Sequence, residues 1–351
     1  MFNPPSVSVL AALLAVVATL VAAALLTGLA RRYALKKSLL DIPNERSSHR
    51  VPTVRGGGIS MVVCALLGAL ALWGFGLLST SFVVAWSGGL LVAWIGWLDD
   101  HGHVSPAWRA LCHFMAATWA VAWLGGTPTL VVGELTIDLG WAGSLLSIIG
   151  MVWLINLFNF MDGIDGIAGS EAAFVAAAGG ILLWLSGATG LALLSFLLAA
   201  ACGGFLLWNW PPAKIFMGDV GSGALGFFVA LLALAGEKVS AVPVAVWIIL
   251  CGVFVCDATF TLLRRVVNGE RWYSAHRSHA YQRLVQLGRS HLHVTVAVLL
   301  SNITVLFPMA LAGWSARGSL IWMMLLMCLS GFAAWLVVQR QFDLQQKLSR
   351  P

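Results

Sequence analysis

The sequence predicts an all-α, polytopic integral membrane protein with about eleven transmembrane helices, N-terminus outside and C-terminus inside. Three observations carry that prediction. Of 351 residues, 60% are hydrophobic and 10% charged, against about 25% charged in a soluble domain. Eleven apolar runs of roughly membrane-spanning length follow one another with short connections. Lysine and arginine gather on one side of those runs. The mean hydropathy of +0.91 agrees. Residues 1–351 read as a single transmembrane domain without a tandem repeat, a low-complexity linker or a separate soluble part.

The runs fall at 6–30, 57–77, 82–98, 110–124, 141–158, 168–187, 189–208, 221–236, 242–263, 293–314 and 319–339. The first lacks the basic start and small-residue cleavage site of a signal peptide, so it reads as a retained span. Only the turn around Gly187 and Gly190 splits 168–187 from 189–208. The segment 125–140 breaks the helical pattern. Its alternating Thr, Val and Leu around Gly133-Glu134 predict a small periplasmic β-hairpin.

With the N-terminus outside, inner segments hold 18 of the 20 lysines and arginines. Arg31, Arg32, Lys36, Lys37, Arg46, Arg50 and Arg55 lie in the first inner loop. Arg264, Arg265, Arg271, Arg277, Arg283 and Arg289 lie in the last. Only Lys238 and Arg317 fall outside. The net charge of +6 is thereby directed at a membrane surface and its lipids, not at nucleic acid. Cys64, Cys112, Cys202, Cys251, Cys256 and Cys328 all sit in apolar stretches and form no CxxC pair, so they read as small buried hydrophobes.

The acids are the informative residues. Glu134, Asp138 and Glu237 are assigned outside. Asp99, Asp100, Asp162, Asp165 and Asp219 fall at the inner ends of apolar runs, and Asp257 about two turns inside one. A carboxylate at a membrane boundary is costly unless it is solvated, paired or metal-bound. One such acid reads as an interfacial cap. Several on one face fit a site for Mg²⁺ and a phosphorylated ligand.

Trp97-Leu98-Asp99-Asp100 ends the third run. Neighbours on a helix diverge by about 100°, so one aspartate can face a metal and the other a second group. The plainer reading is a pair of helix-terminating acids. After the fifth run, Asn156, Asn159, Asp162 and Asp165 recur at three-residue spacing, which sets Asn156 and Asn159 on one helical face. Gly163 and Gly166 let the backbone turn and a ligand approach. In Asn209-Trp210-Pro211-Pro212-Ala213-Lys214-Ile215-Phe216-Met217-Gly218-Asp219, glycines open a helix, a geometry that favours an anion. Asp219 would hold a cation bridging it, with Lys214 nearby. The arginine-rich loop also carries His276 and His279. It suits anionic lipid as well as a substrate, and it has no cysteine partners for zinc. His291 and His293 read as caps of the next span. Pro52-Thr53-Val54-Arg55-Gly56-Gly57-Gly58 suggests close packing or a backbone anion contact, and Asp41-Ile42-Pro43-Asn44 an ordinary turn.

Together, PTxRGGG, DD, NxxNxxDGxDG, NxxPAxxFMGDxGS and a loop histidine motif, in this order over about residues 40–290, resemble the polyprenyl-phosphate N-acetylhexosamine-1-phosphate transferases, glycosyltransferase family 4. The resemblance implies a catalytic domain in a bacterial inner membrane, with its active site at the cytoplasmic face. It implies Mg²⁺, with Mn²⁺ as a substitute, and undecaprenyl phosphate and a UDP-N-acetylhexosamine as substrates. A second copy of the chain is a further candidate partner. Carried over by motif, Asp219 is the metal ligand, Asp99 and Asp100 the catalytic pair, and His279 the first histidine of the HxHH loop. Asn156, Asn159, Asp162, Asp165 and Asn209 surround the nucleotide and diphosphate. Phe216 stacks on uracil. Apart from the motifs, the charge of Arg277 and Arg283 suits neutralising phosphate. The loop departs from the family pattern: His279-Ala280-Tyr281-Gln282 replaces the second and third histidines. The chain is most similar to the O-antigen-initiating branch that uses 6-deoxy sugars such as FucNAc or QuiNAc. The expected reaction is attack by the lipid phosphate on the UDP-sugar, with an aspartyl-phosphate route on Asp99 as the alternative mechanism. A cation-coupled transporter is the rival from another class, although transporter acids usually sit near the bilayer midplane.

Overall fold

The structure is a computed structural model. It describes residues 8–43, 51–102, 104–127, 129–132, 135–270 and 276–348. Asn44, Arg46, Arg50, Gly133, Glu134 and Arg271 from the predicted loops lie outside the described residues.

Helix α1 (Val9–Lys36) is followed by the short antiparallel pair β1 (Leu40–Asp41) and β2 (Thr53–Val54), in which Leu40 faces Val54. Then come α2 (Ile59–Gly74), α3 (Thr80–Trp86), α4 (Gly88–His101) and α5 (Pro106–Leu124). Strands β3 (Leu130–Val132) and β4 (Leu135–Ile137) pair antiparallel, with Val131 opposite Thr136. The chain continues through α6 (Gly140–Met161), α7 (Ile167–Leu185), α8 (Thr189–Asn209), α9 (Asp219–Lys238), α10 (Val244–Leu250), α11 (Gly252–Val267) and α12 (Ala280–Gln286). Helices α13 (His291–Ser301) and α14 (Phe307–Ser315) are joined by a π-helical turn, and α15 (Leu320–Leu348) ends the fold.

Each predicted apolar run contains a helix. Among the described residues, eight helical stretches are long and apolar enough to cross a membrane. A ninth is added if α10 and α11, bent by 82°, count as one span. Helix α2 is apolar but only 16 residues long, and α5, which carries Arg109 and His113, is not among them. The protein is therefore a polytopic, mostly helical membrane protein.

Local chemistry explains several boundaries. Ser8, Ser79 and Ser290 each accept a backbone amide with the side-chain hydroxyl at the start of α1, α3 and α13, the usual serine N-cap. Pro106 opens α5, where no amide donor is needed. Helix α9 is the hub, buried from Val220 to Glu237. Small residues bring helices against it: Gly96 of α4 rests on the Asp219 backbone, and Gly226 rests on the Leu154 backbone of α6.

The two ends of α9 differ in charge, separated by about 30 Å of helix. At the far end, Lys238 donates to the Leu124 carbonyl and Arg317 to the Ser240 carbonyl at 3.3 Å. At the near end lie Asp219 and the acids described below. The cysteines follow the expected burial with one correction: Cys328 is exposed on α15, where an apolar helix face needs no core neighbour.

Candidate active site

Three helix ends meet at the acidic end of α9. Helix α4 contributes Asp99 and Asp100, the turn after α6 contributes Asp162 and Asp165, and α9 begins at Asp219. Gly218 makes the last possible, because its positive φ of 77° is a conformation that favours glycine. A side chain there would run into the Asp100 carboxylate.

The adjacent aspartates of α4 have separate tasks. Asp100 is buried and accepts the amides of Asp219 at 3.1 Å and Val220 at 3.2 Å. It caps α9 and fixes where Asp219 points. Arg55 stands 3.9 Å from its Oδ1. Asp99 faces the other way. Its Oδ1 accepts the Val104 amide at 2.8 Å, and its Oδ2 meets Arg109 Nη1 at 2.8 Å. The same Nη1 lies 3.0 Å from Asp219 Oδ2. One guanidinium nitrogen thus sits between carboxylates from α4 and α9, so the two oxygens converge on one cationic position.

Asn159 joins this centre, donating to Ser222 Oγ at 3.1 Å on the first turns of α9. It also hydrogen-bonds the Asp219 side chain. Asp162, just past α6, is pushed up to about 8. Lost hydration is the main cause, followed by repulsion from Asp219, Asp100 and Asp165. Asn156 is turned aside, with its amide bonded to the Val152 carbonyl of its own helix at 2.7 Å.

Asp165 and Asn209 tie the loops together. Asp165 Oδ2 accepts the Ala213 amide at 3.0 Å, and Oδ1 lies 3.2 Å from His291 Nδ1. Asn209 is buried. It accepts the Gly166 amide at 2.9 Å and donates to the Ile215 carbonyl at 2.8 Å. Beside them is an open cavity of about 360 Å³ lined by Asp165, Pro212, Phe216, Arg289 and His291, among others. Phe216 is held by its backbone: its amide donates to Val54 and its carbonyl accepts from Gly57. His291, expected as a helix cap, is the first residue of α13 and pairs with Asp165, whereas Ser290 does the capping.

The histidine loop forms a second centre. Asp257 accepts the amides of Ala280 at 2.7 Å and Tyr281 at 3.1 Å. His279 is buried 3.6 Å from Asp257, with its ring beside those of His276 and Tyr281. Its amide also donates to Gln282 Oε1 at 3.4 Å, and among the described residues no hydrogen bond or ion pair joins it to Asp99 or Asp219. His276 is pushed down to about 4, mainly by burial. Tyr281 reaches the acidic centre, donating to the Phe160 carbonyl at 3.0 Å and packing against Gly163. Arg283 does not join the acids. It is buried on α12, lies 3.4 Å from Asp343 and packs over Phe342 of α15. Arg277 is exposed, and its carbonyl accepts from Gln286. Lys214 is also exposed, 5.8 Å over the Trp208 ring.

Arg109, Arg55 and Asp257 are the residues that sequence reasoning left without a role in this site. Arg109 had a signal: it is the sole lysine or arginine between Arg55 and Lys214, and it follows the Asp99-Asp100 pair.

A divalent cation fits the convergence of Asp99 and Asp219. Both offer hard carboxylate oxygen, and Arg109 already supplies positive charge there. No group of three or more His, Cys, Asp or Glu ligands occurs among the described residues. Mg²⁺ is commonly held by one or two carboxylates with the remaining positions on substrate phosphate and water.

A carboxylate centre at the ends of candidate membrane-spanning helices, with a cavity that has an aromatic wall at Asp165, marks the candidate site of a polytopic membrane protein. Residues 82–237 match Glycosyl transferase family 4. The chain is 29% identical to a probable undecaprenyl-phosphate N-acetylglucosaminyl 1-phosphate transferase of Bacillus subtilis, over 89% of this chain and 86% of the relative. It is 30% identical to the undecaprenyl-phosphate alpha-N-acetylglucosaminyl 1-phosphate transferase of Salmonella typhi, over 78% and 76%. It is 28% identical to the decaprenyl-phosphate N-acetylglucosaminephosphotransferase of Mycobacterium leprae, over 78% and 77%. The chain belongs to glycosyl transferase family 4, the polyprenyl-phosphate N-acetylhexosamine-1-phosphate transferases. That membership leaves the transporter reading without support.

Proposed function

We propose that this protein transfers an N-acetylhexosamine-1-phosphate from a UDP-sugar to undecaprenyl phosphate at the cytoplasmic face of a bacterial inner membrane, releasing UMP. The observation that carries the reading is the convergence of Asp99 and Asp219, from distant parts of the chain, on Arg109. Its place in the cell is the first membrane step of O-antigen synthesis.

The chemistry is a displacement at phosphorus. An oxygen of the lipid phosphate attacks the β-phosphorus of the UDP-sugar. The bond from that phosphorus to the bridging oxygen breaks, and UMP leaves with the electron pair. A phosphate monoester has a second pKa near about 6, so it is largely a dianion at neutral pH and needs no strong base. The barrier is the meeting of two anions. Arg109 offsets part of that charge between Asp99 and Asp219. Asp219 and Asp99 would hold Mg²⁺, which when bound neutralises diphosphate charge and polarises the phosphoryl group. Asp100 positions Asp219 by capping α9. Phe216 offers a face for the uracil, and Asp165 with His291 shapes that cavity.

Direct attack is favoured over an aspartyl-phosphate on Asp99. Oδ1 of Asp99 accepts the Val104 amide and Oδ2 meets Arg109, and the lipid phosphate, already largely a dianion, needs no covalent relay through that carboxylate. The favoured sugars are 6-deoxy types such as FucNAc or QuiNAc, with GlcNAc the other candidate. That preference rests on Tyr281 and Gln282 standing where the family carries histidines. The test offers purified protein undecaprenyl phosphate, Mg²⁺ and each UDP-sugar in turn, with mass spectrometry of the lipid and assay of UMP. A lipid diphosphate-sugar with matching UMP is expected. Neither product from any UDP-sugar would overturn the reading.

A further inference from the structure

Helix α15 is longer than a membrane needs. Its 29 residues reach about 44 Å, against a hydrocarbon core of about 30 Å. The apolar run ends near residue 339, and Gln339-Arg340-Gln341-Phe342-Asp343 carries the helix on past it. One row of this end is engaged by the rest of the fold. Trp335, Gln339 and Asp343 follow at four-residue spacing, so they share one face, and Trp335 and Gln339 are buried.

Each residue of that row holds part of the histidine loop or its support. Trp335 Nε1 donates to Thr261 Oγ1 at 2.9 Å, and that hydroxyl donates to Asp257 Oδ1 at 3.1 Å. Asp257 in turn accepts the Ala280 and Tyr281 amides, so a hydrogen-bond relay runs from α15 into the loop. One turn further, Gln339 Oε1 accepts from Arg264 Nη1 at 2.5 Å, and its Nε2 donates to the Ser278 carbonyl at 3.4 Å. One turn beyond that, Asp343 meets Arg283 of α12 at 3.4 Å. The far side of the loop presses on the acidic centre. A Cβ on Gly163, between Asp162 and Asp165, would fall against Tyr281 Oη and lie 3.2 Å from Gln282 Nε2.

We infer that Trp335, Gln339 and Asp343 form a clamp that positions the histidine loop for the sugar donor, with Gln339 and, through Thr261, Trp335 as positioning residues for donor selection. The inference rests on the reaction proposed above and adds what fixes its donor preference from outside the site. Helix α12 has 7 residues, too few to hold its own geometry, so its placement comes from packing. Polar groups such as those of Tyr281 and Gln282 discriminate between ligands only while they are held in register, and a shift of about 1 Å is enough to lose that. The row on α15 supplies the hold without touching the substrate.

The test uses full-length protein in detergent, with undecaprenyl phosphate and each UDP-sugar. Thr261→Val and Gln339→Met keep side-chain volume and remove the hydrogen bonds. Each should raise KM for the best UDP-sugar by roughly fivefold, the size of one lost hydrogen bond, and narrow the ranking among UDP-sugars. KM for undecaprenyl phosphate should stay unchanged. Gln339→Glu keeps the acceptor for Arg264 and should recover part of the loss. Arg340→Ala, at an exposed position of the same helix, should change neither KM. Amide exchange over residues 278–286 should quicken in Gln339→Met. A merely structural role would lower turnover through the folded fraction and leave both KM values at the wild-type level. That result, or an equal rise in both KM values, overturns the clamp and leaves the transfer reaction standing. If the wild-type protein releases no UMP with any UDP-sugar, the reaction itself fails, and donor selection by the clamp fails with it.

Discussion

Asp100 and Asp257 each present both carboxylate oxygens to two consecutive backbone amides at the start of a helix. Asp100 holds Asp219 and Val220 of α9, a helix of 20 residues. Asp257 holds Ala280 and Tyr281 of α12, a helix of 7 residues. The local device is the same, and its surroundings differ. Around Asp100 crowd Asp99, Asp162 and Asp219, with Arg55 and Arg109 to offset them among the described residues. Around Asp257 stand Thr261, His279 and Tyr281. The difference teaches that the first cap positions a charge-bearing centre, while the second anchors a loop that reaches the same centre through Tyr281.

That comparison ranks the expected effects. Asp219→Asn removes a carboxylate that Asp100 positions, and should reduce transfer at least about 100-fold while the protein still inserts. UMP release from purified variant protein checks it. Asp100→Ala should reduce turnover and also destabilise the fold by about 1–2 kcal/mol, since two helix-opening amides lose their acceptor. Thermal unfolding in detergent reads the second effect. If Asp257→Ala lowers turnover at saturating substrate as much as Asp100→Ala does, the division of labour is wrong.

Asp162 sharpens the comparison through pH. Its folded pKa of about 8 is above the usual carboxylate value, so the folded state holds a proton that the unfolded chain releases near pH 4. Stability contributed by that proton is complete below pH 4 and is lost as pH rises through about 8. Asp162→Asn should therefore stabilise the ligand-free protein more at pH 8.5 than at pH 5. A pH-independent difference would remove the crowding argument. The smallest effect is expected for Tyr281→Phe, which loses one hydrogen bond to the Phe160 carbonyl. It should change KM for the UDP-sugar by a few fold, corresponding to about 1 kcal/mol, with the sugar preference relaxed.

Much of this was legible in the chain. Composition and the placement of lysine and arginine pointed to a polytopic membrane protein, because lipid imposes itself on every span. Asp99 and Asp219 were legible because a carboxylate at a span end demands a reason. The separate task of Asp100 was not, since only the closeness of α9 to α4 distinguishes it from its neighbour. Asn156 shares the spacing of Asn159, yet its side chain folds back on Val152. Arg283 was read from charge alone, and the packing of α12 on α15 carries it to Asp343 and Phe342. Arg109 stands alone among lysines and arginines between Arg55 and Lys214, but its role depends on the pair of carboxylates it faces, which only the packing of α4 on α9 brings together.

The central claim is that Asp99 and Asp219 share one divalent cation. Mn²⁺ binding to purified protein in the presence of UDP, followed by electron paramagnetic resonance, tests it most directly. The account predicts one tight site in the wild type, lost in both Asp99→Asn and Asp219→Asn and kept in Asp257→Asn. Undiminished tight Mn²⁺ binding in the two single variants would contradict it.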